Sequence, residues 1–224
     1  LADGAKEVSA RFVWNGAGGV TIRRTYTLGR GQYALKVRDE IVNRGTTPWT
    51  GHVYRYLSRV PQAIGYSMFN PETFAFSGGA WYTPEEKYQK RKYDAFMDGD
   101  KIDPIEKGTN VEGGWIALLQ HYFFTGWIPQ PDQKANYALN ADIAQSLFGI
   151  SATGPQFTVA PNTQASSEAK LWIGPKLPDQ LAQQAPGFER TLDYGIFTVL
   201  AEPIHWLLAQ LHKVTHNWGW AIVL

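Results

Sequence analysis

Two histidines four residues apart, His212 and His216, have the spacing of metal ligands on one face of a helix. Zinc chemistry there would need more donors. The chain shows no HExxH motif and no acidic third ligand near them in sequence. The pair therefore reads as polar-face residues near a helix C-terminus, where a cationic imidazole is favoured, or as residues at lipid head groups. No metal and no cofactor is expected. His121, beside Gln120 and Tyr122 in an apolar stretch, could act as a base if a carboxylate such as Asp39 or Glu40 stood near it. That pairing is the proton-transfer chemistry of carbohydrate epimerases and lyases. A histidine with its hydrogen bonds satisfied in a core or sheet face is the plainer reading.

Other chemistry is missing. The chain has no cysteine, which excludes disulfides, thiol catalysis and cysteine-based metal sites. No GxSxG, Walker loop, GxGxxG fingerprint or EF-hand loop occurs, and Gly16 to Gly19 is only a turn. The acidic pairs Glu85-Glu86 and Asp98/Asp100 read as solvated. With 21 basic against 20 acidic residues, and no basic stripe, nothing argues for nucleic acid.

The elements that must position such residues are mostly strands. The chain has 224 residues and is 44% hydrophobic, enough for one large all-β domain with a real core. Val20, Ile22, Arg24, Tyr26 and Leu28 alternate along one strand face. Gly29-Arg30-Gly31 turns the chain, and Tyr33, Leu35, Val37, Asp39 and Ile41 share a face of the returning strand. Val8 to Trp14 and Val53 to Arg59 are similar, with loops at Thr46 to Pro48 and Arg59 to Pro61. Asn70 to Gly79 reads as a loop, Trp81-Tyr82 as a short strand, and Thr83 to Glu86 as one helical turn capped by Thr83. Residues 85–92 form a charge cluster, solvated or a docking patch. Residues 113–129 (GGWIALLQHYFFTGWIP) read as one long buried strand. Strands follow at Leu139 to Ile143, Leu147 to Ala152, Phe157 to Val159 and Glu168 to Ile173, then a helix over Pro178 to Ala185, with Phe188 to Tyr194 leading on. Many short strands with few helices predict a β-sandwich.

The C-terminus differs. Ile204, Leu207, Leu208, Leu211 and Val214 form one stripe of a helix over Pro203 to Asn217, with Glu202-Pro203 as its start. Trp206, Trp218 and Trp220 suit a membrane–water boundary. The apolar end, 217–224, is too short to span a bilayer core, which needs about 20 residues, but fits the first turns of a span. The expectation is a piece cut from a membrane protein. No signal peptide is visible at the start, so any targeting segment is expected upstream.

Several stretches carry a resemblance: FSGGAWYTPEEKYQKRKYD at 76–94, GGWIALLQHYFFTGWIP at 113–129, LWIGPK at 171–176 and LDYGIFTVLAEPIHWLLAQLHKVTHNWGWAIVL at 192–224. Their order and spacing resemble the first large periplasmic domain of the bacterial YidC/Oxa/Alb membrane insertase family, most firmly from about residue 55 onward. The resemblance implies a large twisted antiparallel β-sandwich of galactose-mutarotase-like type, over residues 1–194. It implies an interfacial amphipathic helix over 195–217 and the start of a transmembrane helix over 218–224. It places the domain on the periplasmic side of the inner membrane, as an accessory with no reaction of its own, since the family's insertase centre lies inside the bilayer. Implied partners are SecF/SecD, SecYEG, nascent membrane proteins and the lipid surface. Residues 66–107 fall in the family's SecF-contacting region, so Tyr82, Glu85, Lys87, Tyr88, Lys90 and Lys92 are candidate partner-binding residues. The residues themselves leave two alternatives: a carbohydrate-binding or carbohydrate-active sandwich using His121, and a peptide-binding chaperone module using a sandwich cleft.

Overall fold

The computed structural model describes residues 4–61, 75–192 and 198–223. The chain divides into two compact units, Leu1–Thr191 and Leu192–Leu224. The first is built of β1 (Glu7–Asn15), β2 (Val20–Gly29), β3 (Ala34–Asn43), β4 (Trp49–Gly51), β5 (Tyr54–Arg59), β6 (Gly78–Thr83), β7 (Lys87–Lys92), β8 (Met97–Asp98), β9 (Lys101–Ile102), β10 (Trp115–Leu119), β11 (Phe123–Pro129), β12 (Asn136–Asp142), β13 (Leu147–Thr153), β14 (Phe157–Val159) and β15 (Thr163–Pro175). A short helix α1 (Pro178–Leu181) and a 3-10 turn at Phe188–Thr191 close it.

Eight strands form one antiparallel sheet in the order β1-β2-β3-β15-β11-β10-β6-β7, and a smaller sheet runs β12-β13-β5. Side chains alternate along each strand, so register fixes what faces what. Val37, Ile116, Leu118, Trp127 and Leu171 share the inner face of the large sheet and meet Leu57, Leu139 and Ile150 of the small one in a single core. The opposite face of the central strands carries Trp115, Phe124 and Trp172, which pack edge-on around Phe188 at ring separations of 5.0, 5.1 and 6.2 Å. Strands buried on both faces explain why 113–129 reads as continuously apolar.

Several sequence expectations change. Residues 113–129 are a hairpin of β10 and β11, with the Gln120 N–H donating to the Phe123 carbonyl across the turn at 3.0 Å. A single strand of that length would exceed the usual 3–10 residues. Gly78 and Gly79 lie inside β6, and residues 70–74 of the expected loop lie outside the described residues. A Cβ on Gly78 would collide with the Arg91 carbonyl of β7, and one on Gly79 would sit 2.8 Å from the Phe96 ring. The double glycine marks close approach of neighbours, not a loop. Thr83 to Glu86 is a hairpin turn, though the expected cap bond exists: the Glu86 N–H donates to Thr83 Oγ1 at 3.0 Å. Lys87 follows at φ 64°, the left-handed residue that closes a three-residue hairpin loop. The helix expected to Ala185 stops at Leu181, four residues long; Pro186 disfavours helical conformation at Ala185 but the chain leaves the helix before reaching it.

The second unit holds α2 (Thr198–Thr215) and α3 (Trp218–Val223), which pack on each other. Pro203 lies inside α2, not at its start. A proline there forgoes one backbone bond, a loss a helix absorbs at a local cost. Residues 193–197, including the end of the expected Phe188 to Tyr194 lead-in, lie outside the described residues.

Candidate functional site

The joint between α2 and α3 is specified residue by residue. His216 takes φ 50° and its N–H donates to the His212 carbonyl at 2.7 Å, ending α2 with a left-handed residue. Asn217 then caps α3, its Oδ1 accepting from the N–H of Gly219 at 2.8 Å and of Trp220 at 3.4 Å. His216 is therefore past the helix end, and the i, i+4 face shared with His212 does not form. His212 instead stacks its ring on Trp218, centroids 4.1 Å apart. No group of metal-binding side chains occurs among the described residues.

The described side chains of these helices are largely in solvent. Ile204, Trp206, Leu207, Val214, Trp218, Trp220, Ile222 and Val223 are all exposed, Val214 at 81%, while Leu208 and Leu211 are half-buried. At roughly 100° per residue, Ile204, Leu207, Leu208, Leu211 and Val214 make one stripe, and Trp206 falls roughly opposite it, near Lys213. No helix among the described residues is long and apolar enough to cross a membrane.

The candidate partner residues around β7 do not form one patch. The register places Tyr88, Lys90 and Lys92 on one face of β7 and Lys87 on the other. Tyr82 and Tyr88 lean on Trp115, at 6.2 and 5.9 Å between rings. Glu85 pairs with Lys107 at 3.1 Å, Lys87 donates to the Pro84 carbonyl at 2.7 Å, and Lys90 lies over the Phe76 ring. Lys92 is exposed. Residues 66–74 of the expected partner region lie outside the described residues.

His121 occupies the turn between β10 and β11 and stacks on Tyr122, centroids 3.8 Å apart. Asp39 pairs with Ser167, eight residues along β15 from the Phe123–Pro175 pair beside that turn, roughly 27 Å at about 3.4 Å per residue. The structure thus keeps His121 and the Asp39/Glu40 carboxylates apart. Near the turn lies a half-open groove of about 510 Å³ whose lining includes Leu57, Leu118, Arg59 and Gln120, with no carboxylate among the described residues that line it.

A partly buried polar cluster went unread in the sequence. Arg24 donates from Nε and Nη2 to the two Asp39 oxygens at 2.6 and 3.1 Å. The carboxylate holds the Arg24 guanidinium above its ordinary pKa, against the opposing effect of burial. Arg55, 4% exposed, donates to Ser167 Oγ at 3.2 Å and lies over Trp127; burial lowers its pKa, with Asp39 acting in the opposite direction. Arg24 and Asp39 each stand in the apolar parity of their strands, which was the available signal.

The described residues thus form an antiparallel sandwich and a helical unit with aromatic and aliphatic side chains in solvent. The chain matches the family described as the YidC periplasmic domain over residues 1–207. It belongs to that family. Similar relatives include the membrane protein insertase YidC of Xanthomonas oryzae pv. oryzae (strain PXO99A) and that of Stenotrophomonas maltophilia (strain K279a). Each is 45% identical over all of this chain and 38% of the relative, so the chain spans under half the length of these curated relatives. Similar solved structures include a galactose mutarotase related enzyme from Lactobacillus acidophilus (TM-score 0.45, 11% identity, 77% of this chain and 69% of that one) and a galactose mutarotase-like protein from Lactobacillus casei (TM-score 0.46, 11% identity, 77% and 71%).

Proposed function

We propose that this chain is the periplasmic accessory domain of an inner-membrane insertase and works by holding a surface against lipid, without catalysing a reaction. The residues 1–194 act as a partner-binding scaffold, 195–217 lie in the interface, and 218–224 lead into a span. The parent inserts nascent membrane proteins, alone or with SecYEG and SecD/SecF, the last meeting residues 66–107. The observation that carries this reading is the exposed apolar surface of α2 and α3. A fully buried Leu or Ile contributes about 1.5–3 kcal/mol. Ile204, Leu207, Leu208 and Leu211 together favour holding a tethered helix at the lipid boundary, with partial burial and ordering costs reducing the sum.

The test pairs two measurements on a Leu207→Asp/Leu211→Asp variant. The chain should float with phosphatidylethanolamine–phosphatidylglycerol vesicles and the variant should stay behind. In the full-length protein the same change should depress insertion of a model membrane substrate. Flotation and insertion that survive the substitutions in a folded protein would refute the reading.

A further inference from the structure

The two edges of the large sheet are finished differently. β7 ends one side with Lys87, Lys90, Arg91 and Lys92, the charged edge that discourages strand-to-strand association. β1 ends the other with nine residues that are all exposed, and no strand among the described residues covers it. It carries Val8, Phe12 and Trp14 on one face, at 47, 62 and 57% exposure. The Gly16 N–H donates to Val20 O and the Arg30 N–H to Lys6 O, both at 2.8 Å. Antiparallel pairing alternates, so the even-numbered residues of β1 spend their backbone groups on β2. The N–H and C=O groups of Glu7, Ser9, Arg11, Val13 and Asn15 therefore point away from the sheet, an open ladder.

We infer that β1 is a docking edge for an extended polypeptide that alternates apolar and acidic residues, added as a ninth, antiparallel strand. The apolar side chains would extend the row of Val8, Ala10, Phe12 and Trp14. The acidic ones would share the other face with Arg11 and with Arg23, which sits across from Val13. Neither arginine has an ion pair among the described residues. A second copy of this chain fits poorly: full antiparallel self-pairing of β1 centres on Arg11 and sets it against its own mate, and directly opposed like charges destabilise a strand pair. The edge is independent of the lipid-facing role of α2 and α3, and the two readings stand or fall separately.

Calorimetric titration with a soluble nine-residue peptide of alternating valine and glutamate tests the inference, with a lysine-for-glutamate version as control. The glutamate peptide should bind, and hydrogen exchange should slow at Ser9, Arg11 and Val13. Val13→Pro removes only an outward N–H, a position where an edge strand tolerates proline, and should abolish binding while circular dichroism stays native. If that variant misfolds, Arg11→Glu serves instead. It should weaken the glutamate peptide about tenfold and strengthen the lysine one. No binding, equal binding of both peptides, or concentration-dependent dimers that Val13→Pro dissolves would each overturn the inference.

Discussion

Asn43 is wholly buried at the end of β3, yet every group it offers is used. Its Nδ2 donates to the carbonyls of Thr47 at 2.8 Å and Val159 at 2.9 Å, and its Oδ1 accepts from the Gly45 N–H at 2.9 Å. Alanine there would leave the buried Val159 carbonyl, the half-buried Gly45 N–H and the more exposed Thr47 carbonyl without these bonds, so Asn43→Ala should lower unfolding free energy in urea by about 2 kcal/mol. Tyr93 is the reverse case. Its ring packs on Phe96 and Phe148, but its buried hydroxyl has no hydrogen-bond partner among the described residues. Burial pushes its pKa up to about 12. An unfolded tyrosine ionises near 10. Between about pH 10 and about pH 12 the unfolded chain has lost a proton that the folded one keeps, so stability falls as pH rises through that window. Burial raises Tyr137 in the same direction, so it contributes to the same alkaline loss. Tyr93→Phe should leave stability at pH 7 unchanged or slightly higher and flatten part of the alkaline decline, read as melting temperature against pH. The alternation of β2 and β3 made Arg24 and Asp39 legible as inward residues. Arg55 was not, because its partners Ser167 and Trp127 come from strands more than seventy residues away in sequence.

Strand existence was readable from alternation; strand length and reversal were less so. Residues 113–129 carry their apolar signal straight through the turn at Gln120 to Tyr122, because β10 and β11 are each buried on both faces and leave no polar parity to mark the break. Gly78 illustrates the opposite confusion, a strand glycine whose spacing reads as a loop. Its role gives a sharp expectation: Gly78→Ala meets backbone, which cannot rotate away, and should cost at least about 2 kcal/mol by denaturant unfolding. A melting temperature unchanged from the parent would show that β7 can move aside. At the C-terminus the apolar period of α2 was visible. The true extent of the helix was not, because Pro203 looks like a beginning wherever it stands.

Over the whole molecule, the division at Thr191 implies that the sandwich carries its own core and should fold alone. A chain ending at Thr191 should melt within a few degrees of the complete one in a single cooperative transition. A collapse to a molten state would show that the helices are needed for folding. The same division puts Leu207→Asp/Leu211→Asp outside the sandwich, so those substitutions should spare its melting temperature while removing vesicle flotation. The nine tryptophans follow the same partition except for Trp14, which is exposed on β1 of the sandwich. Trp81, Trp115, Trp127 and Trp172 are buried, Trp14, Trp206, Trp218 and Trp220 are exposed, and Trp49 lies between. Intrinsic fluorescence is therefore a composite of two optical populations. Iodide should extinguish only the long-wavelength component, and contact with bilayers should blue-shift that component alone, giving a label-free reporter that distinguishes docking of the tail from loosening of the interior.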